Sequence, residues 1–296
     1  MEGLIDWDHL ELLLHHAFYN ELQVSPESCP VLLAEPPLNP TANRVRQAQF
    51  IFETFRVPAL YTPVSSALAL YASGRTSGLV VNLGELLGYT VPVYEGHALP
   101  HAAGRLDFAG RDLTDYLQQL LLERGYLFST AADREIVKCI KEKLAYIPLD
   151  NATPAPETSY VLPDGQVISV GDERCKCPEA LFQPSLIGSD CWGLGECVFD
   201  SVMRCDGDVR REMCMNVVLE GGTTMFLGTP ERLKKELERL VVPAGMQVKV
   251  IAPLERKYSV WIGGSIVGSL SNFPLMWISK QEYQEVGPAI VQRRCY

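Results

Sequence analysis

The sequence predicts an α/β protein with room for two cores. Short apolar, β-branched runs alternate with segments whose apolar residues recur at helical spacing, which places helices on the faces of a sheet. The 296 residues are 47% hydrophobic and 21% charged, an ordinary globular balance at a length that supports two cores. Asp6 is placed to cap a helix from Trp7 that carries Leu10, Leu13, Leu14 and Phe18 at helical spacing. Pro30 to Glu35 reads as a short buried strand stopped by Pro36-Pro37. A helix from Arg44 to Phe55 follows, then a strand over Ala59-Leu60-Tyr61 and a helix through Ala67 to Ala72.

Two strands, Gly78 to Asn82 and Tyr89 to Tyr94, are joined by a short turn. Arg111 to Gly125 is a helix with Gly125 at its stop. Residues 151–158 form a Pro/Thr-rich surface loop, and Asp164-Gly165 turns between two strands. Val217 to Glu220 is a strand ending in Gly221-Gly222. Thr229-Pro230 starts a helix to Leu240, and Val248 to Ile251 is another strand. Ser279 with Glu282 makes a capping box for the last helix.

Composition excludes some functions. A net charge of −10 disfavours nucleic acid and anionic membranes as partners. No apolar run is long enough to span a bilayer, and Met1 to Asp6 lacks the pattern of a signal peptide. Nine cysteines without a small disulfide framework point to a reducing compartment. Cys175 and Cys177 form a Cys-x-Cys pair, but Cys191 and Cys197 follow at irregular distance and all histidines lie before residue 102. No metal site is expected; these thiols read as packed or in a surface loop. His15 and His16 read as a packing or surface pair.

Long motifs carry a resemblance. They include Glu255-Arg256-Lys257-Tyr258-Ser259-Val260-Trp261-Ile262-Gly263-Gly264-Ser265, Met276-Trp277-Ile278-Ser279-Lys280-Gln281-Glu282-Tyr283 and the terminal Arg294-Cys295-Tyr296. Others are Leu38-Asn39-Pro40, Leu70-Tyr71-Ala72-Ser73-Gly74-Arg75-Thr76, Tyr94-Glu95-Gly96-His97-Ala98-Leu99-Pro100-His101 and Ala109-Gly110-Arg111-Asp112-Leu113. From about Trp7 to Tyr296 the chain resembles the actin family. The resemblance implies an actin-like two-domain α/β fold (actin, hexokinase and heat-shock chaperone type), hinged around a nucleotide cleft. The expected parts are 1–72 with 258–296, the inner part 73–108 with 190–257, and the outer part 109–189. In the family two hairpins wrap the phosphates, a divalent cation bridges them, and a glutamine positions the attacking water.

The sequence departs from that pattern. The fold reads as N-terminally truncated, because the family's first phosphate hairpin and its small outer subdomain would precede Trp7. The second phosphate turn reads Asn82-Leu83-Gly84-Glu85-Leu86-Leu87-Gly88. Asn82 stands where the family has an acid near the metal, and Leu86 where it has a glycine that lets backbone approach phosphate. Ser65 falls at the water-positioning glutamine. Phosphoryl transfer needs these parts together, so ATPase activity is expected to be lost and no catalytic or metal residue is assigned.

The resemblance also assigns residues on the base side of the cleft: Gly84, Lys141, Glu142, Gly221, Gly222, Thr223, Met225 and Lys257. They imply at most weak ATP or ADP binding, with no cofactor required. The competing reading is structural: a tight strand exit at Gly221-Gly222 and a closed helix face at Lys141-Glu142. A groove lined by Tyr71, Gly74, Thr76, Val267, Leu270 and Met276 corresponds to the family's site for amphipathic helices. Its competing reading is core closure between a strand at Trp261 and the last helices. The expectation is a cytoplasmic, cytoskeleton-associated structural or interaction protein whose partners are actin, actin-like or actin-binding proteins. The alternatives are a weakly ATP-binding, nonhydrolysing switch and a filament-capable homologue.

Overall fold

The computed structural model describes residues 6–149, 155–241 and 245–294. The terminal Cys295-Tyr296 and residues 151–154 of the loop expected at 151–158 lie outside the described residues; Thr158 already starts a strand, Thr158–Val161. The chain divides into two compact units, Met1–Tyr71 with Val260–Tyr296, and Ala72–Ser259.

The Ala72–Ser259 unit is built on a sheet in which Val250–Ile251, Val217–Glu220 and Gly78–Leu83 run parallel. Gly78–Leu83 then pairs antiparallel with Gly88–Tyr94, whose other edge takes His97–Ala98 and Gly104–Leu106. One face of this sheet presents Leu79, Val81, Leu83, Val217 and Leu219 to the unit's core. Helices Gly110–Glu123, Ala131–Leu144, Leu194–Arg204 and Thr229–Val241 meet it with residues one turn apart. Leu113, Leu117 and Leu121, Val198 and Val202, and Leu233 and Leu237 are all buried there. The Asp164-Gly165 turn forms as expected between Thr158–Val161 and Val167–Val170, with Gly165 at φ +87.

The other unit has a small sheet. Val31–Leu32 runs parallel to Ala59–Tyr61, and Ile278–Ser279 pairs antiparallel on its other side. Asp6 caps helix Trp7–His15 by accepting from the His9 amide. That helix buries no residue, and Leu13, expected to face a core, is 63% exposed. The chain continues through a wider turn, His16–Glu21, which buries Phe18. His15 packs at a tilt against Tyr19 and His16 pairs with Glu21, and both are exposed surface histidines. Helix Thr41–Glu53 contributes Ala48, Ile51 and Phe52, and Phe52 stacks on Tyr283. The Ser279/Glu282 capping box forms at the start of Lys280–Val286.

Trp261 lies on a helix, Ser259–Gly268, where the sequence suggested a strand, and it is 74% exposed. Val260, Gly263, Gly264 and Val267 make a stripe at helical spacing, and Val260 and Val267 pack on Leu68 and Phe273. A Cβ at Gly263 would stand 1.9 Å from the Leu68 carbonyl oxygen, so the two backbones touch. Trp261 is off that stripe. The segment is apolar on nearly every face, which hides its period.

Candidate functional site

The parallel strands of the Ala72–Ser259 unit end on one edge, the position at which open α/β sheets bind ligands. Three segments converge there: the turn after Gly78–Leu83, the Gly222–Met225 turn after Val217–Glu220, and the start of helix Gly110–Glu123. The Gly110 and Arg111 amides donate to the carbonyls of Gly84 (3.0 Å) and Glu85 (2.7 Å). The Thr223 hydroxyl also donates to the Gly84 carbonyl, at 2.8 Å. A side chain at Gly110 would fall 2.6 Å from Thr223 Oγ1 and 2.9 Å from Glu85 Oε2. Gly221, at φ +96, passes so close to Leu83 that a Cβ would meet its carbonyl oxygen at 2.4 Å. These glycines are needed for close backbone approach and, at Gly221, for a left-handed conformation.

Lys141 is 3% exposed. Its ammonium donates to the Gly110 carbonyl and to Thr114 Oγ1, at 2.7 Å from the latter. Burial pulls its pKa below the ordinary lysine value, while the Glu85 carboxylate works in the opposite direction. Lys141 thus ties the start of one helix to another, and its neighbour Glu142 is exposed. Gly222 is open: a Cβ there would meet only Lys257 Cγ, 4.0 Å away. Lys257 and Met225 are exposed.

Sequence reasoning assigns no role to Arg256 or Glu220. Arg256 is buried and its guanidinium bonds the Thr224 carbonyl and hydroxyl and the Pro253 carbonyl. Its own carbonyl accepts from the Gly221 amide at 3.0 Å, which fixes the Gly-Gly turn. Glu220 ends its strand and is 5% exposed. It is in register with Asn82, whose side chain hydrogen-bonds its carboxyl, and Glu220 Oε2 receives no hydrogen bond. Burial pushes the Glu220 carboxyl up to about 7. A glutamate closing an apolar strand is the available signal; its burial depends on neighbours distant in sequence.

A phosphate needs donors and positive charge. At this edge the leading amides of helix Gly110–Glu123 are committed to Gly84 and Glu85, and Lys141 to Gly110 and Thr114. Beside them stands the Glu85 carboxylate, and Glu220 ends the adjacent strand. These committed donors are not available to a phosphate. Among the described residues no group of three or more His, Cys, Asp or Glu is placed to hold a metal ion. Cys177 is buried, and its thiol donates to the Leu113 carbonyl.

The residues expected to line a partner groove divide between the units. Gly74 and Thr76 are exposed in Ala72–Ser259. In the other unit Val267 is 3% exposed and belongs to a core with Leu68 and Phe273, which fits core closure better than a lining role. Tyr71 and Met276 are half-buried against that cluster, and Leu270 is 46% exposed. Ser65 begins helix Ser65–Ala72, its amide donating to the Glu35 carbonyl.

A mixed sheet whose parallel strands end against a hairpin turn, a Gly-Gly turn and a helix start defines an α/β protein built to present one strand-end site. The chain belongs to the actin family, whose model matches residues 2–296. Among the described residues no helix is long and apolar enough to cross a membrane.

Proposed function

We propose that this chain is an actin-family structural or interaction protein that does not hydrolyse ATP. The observation that carries the reading is the state of the strand-end edge. The Gly110 and Arg111 amides and the buried lysine are committed within the protein, and Leu86, 60% exposed, stands on the turn that would face phosphate. Asn82 offers an amide where a metal-organising carboxylate is needed. Phosphoryl transfer relies on positioning and charge stabilisation acting together, so several losses at one reaction compound. The protein would act in the cytoplasm, in association with the cytoskeleton. Its partners would be actin, actin-like or actin-binding proteins that use an apolar helix, docking near Tyr71, Leu270 and Met276.

Phosphate release from the purified chain with Mg-ATP tests this. The expected result is release no faster than from heat-inactivated protein. Sustained turnover abolished by Lys141→Met would overturn it.

A second reading is a nonhydrolysing switch that binds nucleotide weakly through its base. The open space at Gly222, bordered by Lys257, favours it. Titration calorimetry separates the two: saturable heat with adenosine as well as ATP supports the switch, and no heat supports the scaffold.

A further inference from the structure

We propose that the strand-end edge carries a site for an ammonium group, held by Glu220 and Asn82. The two residues are register partners on adjacent parallel strands, Asn82↔Glu220. Both lie on the sheet face opposite Leu79, Val81, Leu83, Val217 and Leu219, which fill the large core. Asn82 bonds the Glu220 carboxyl, but Glu220 Oε2, in a residue 5% exposed, has no hydrogen-bond partner. A buried carboxylate oxygen left without a donor is costly, and a cationic donor is the partner that relieves it best.

The surroundings set the class of ligand. The donors at the start of helix Gly110–Glu123 are used: the amides of Gly110 and Arg111 and the Thr223 hydroxyl bond Gly84 and Glu85. A phosphate or carboxylate ligand at this pair would be repelled by the Glu220 carboxylate. A divalent metal would lack ligands, since no group of three or more His, Cys, Asp or Glu is gathered among the described residues. One carboxylate and one amide oxygen suit an N–H donor with a single positive charge. There is room just past the strand end at Gly222, where a Cβ would touch only Lys257 Cγ at 4.0 Å. The ammonium belongs either to a free small amine or to a lysine side chain of another protein. The inference is independent of whether the chain hydrolyses ATP.

Thermal unfolding of the full chain, at mildly alkaline pH and matched ionic strength, tests it. The probes are ethylammonium, Nα-acetyl-lysine amide, tetramethylammonium and inorganic pyrophosphate. Ethylammonium and the lysine derivative are expected to raise the melting temperature saturably. Tetramethylammonium, which has the charge but no N–H, and pyrophosphate are expected to leave it unchanged. Glu220→Gln is expected to weaken the response by about tenfold or more, the loss of a hydrogen bond to a charged group. Tighter binding of the lysine derivative assigns the site to a partner's side chain, and tighter binding of ethylammonium to a free amine. Equal stabilisation by tetramethylammonium, stabilisation by pyrophosphate, no response to either amine, or an undiminished response in Glu220→Gln would each overturn the proposal. The wild-type comparison of ethylammonium with tetramethylammonium decides the matter even where the variant fails to fold.

Discussion

Arg44 closes on both carboxylate oxygens of Glu35, its Nε donating to Oε2 at 2.9 Å while Nη2 faces Oε1. Asn39 Nδ2 adds a third donor at 3.1 Å, so the Leu38-Asn39-Pro40 corner serves this carboxylate. Glu35 is 2% exposed, and burial raises its pKa while Asn39 and Arg44 oppose the rise. Removing one partner of a buried pair strands the other charge, whereas replacing both with apolar groups is far cheaper. Arg44→Met is therefore expected to cost about 3–5 kcal/mol. The double variant Arg44→Met/Glu35→Leu should recover most of that loss. Urea midpoints of the wild type and both variants check this; a double variant no more stable than the single would refute the pairing.

Gly263 meets Leu68 backbone to backbone, and a Cβ there would sit 1.9 Å from the Leu68 carbonyl oxygen. A flexible side chain could yield, but a carbonyl within helix Ser65–Ala72 cannot without moving the helix. Gly263→Ala is expected to destabilise by at least ~1–3 kcal/mol, the range for overpacked cores. Gly268→Ala is the control: nothing lies within 4 Å of that Cβ, so stability should hold or rise slightly. Thermal unfolding of both variants decides it.

How legible these features are in the sequence depends on whether their cause is local. The Asp6 cap, the Ser279/Glu282 box and the Asp164-Gly165 turn are local, and each forms as read. Thr130 and Asp133 make an equally local capping box, and with Val137, Ile140 and Leu144 at helical spacing it signals the helix Ala131–Leu144. Trp261 misleads because its segment is apolar all round, so only the Gly263–Leu68 contact reveals which face is inside. At the candidate site, Lys141 and Gly221 are legible as residue types. Their partners Gly110, Thr114 and Leu83 are not, because those contacts join segments far apart in the chain. Glu220 is the least legible. A glutamate at a strand end normally turns to water, and its burial arises from the neighbouring strand and turn.

Lys141 offers a test of the internal use of the site's positive charge. Its ammonium holds the Gly110 carbonyl and Thr114 Oγ1, and it is 3% exposed. Lys141→Met keeps the length and removes the donors. The Thr114 hydroxyl still reaches the Gly110 carbonyl at 3.0 Å, so the loss is limited to ~1–3 kcal/mol. Faster amide exchange should concentrate in the first turns of Gly110–Glu123. A stability loss without that local change would mean that Lys141 acts elsewhere.

The Glu220 carboxyl should leave a signature in stability against pH. Burial raises its pKa from an ordinary 4.5 to about 7, so the folded state holds this proton more tightly than the unfolded state does. Between those values the native protein binds more protons, and stability must fall as pH rises. The stabilising effect of the proton is fully present below the unfolded value and lost as pH climbs through about 7. A tenfold difference in proton affinity is worth about 1.4 kcal/mol, so the change in stability across the window is on the order of 3 kcal/mol. Glu220→Gln keeps the shape and cannot ionise. Its unfolding free energy minus that of the wild type should therefore grow between mildly acidic and neutral pH and level off above. Parallel stability curves for the two proteins across that range would show that Glu220 titrates as an ordinary carboxyl.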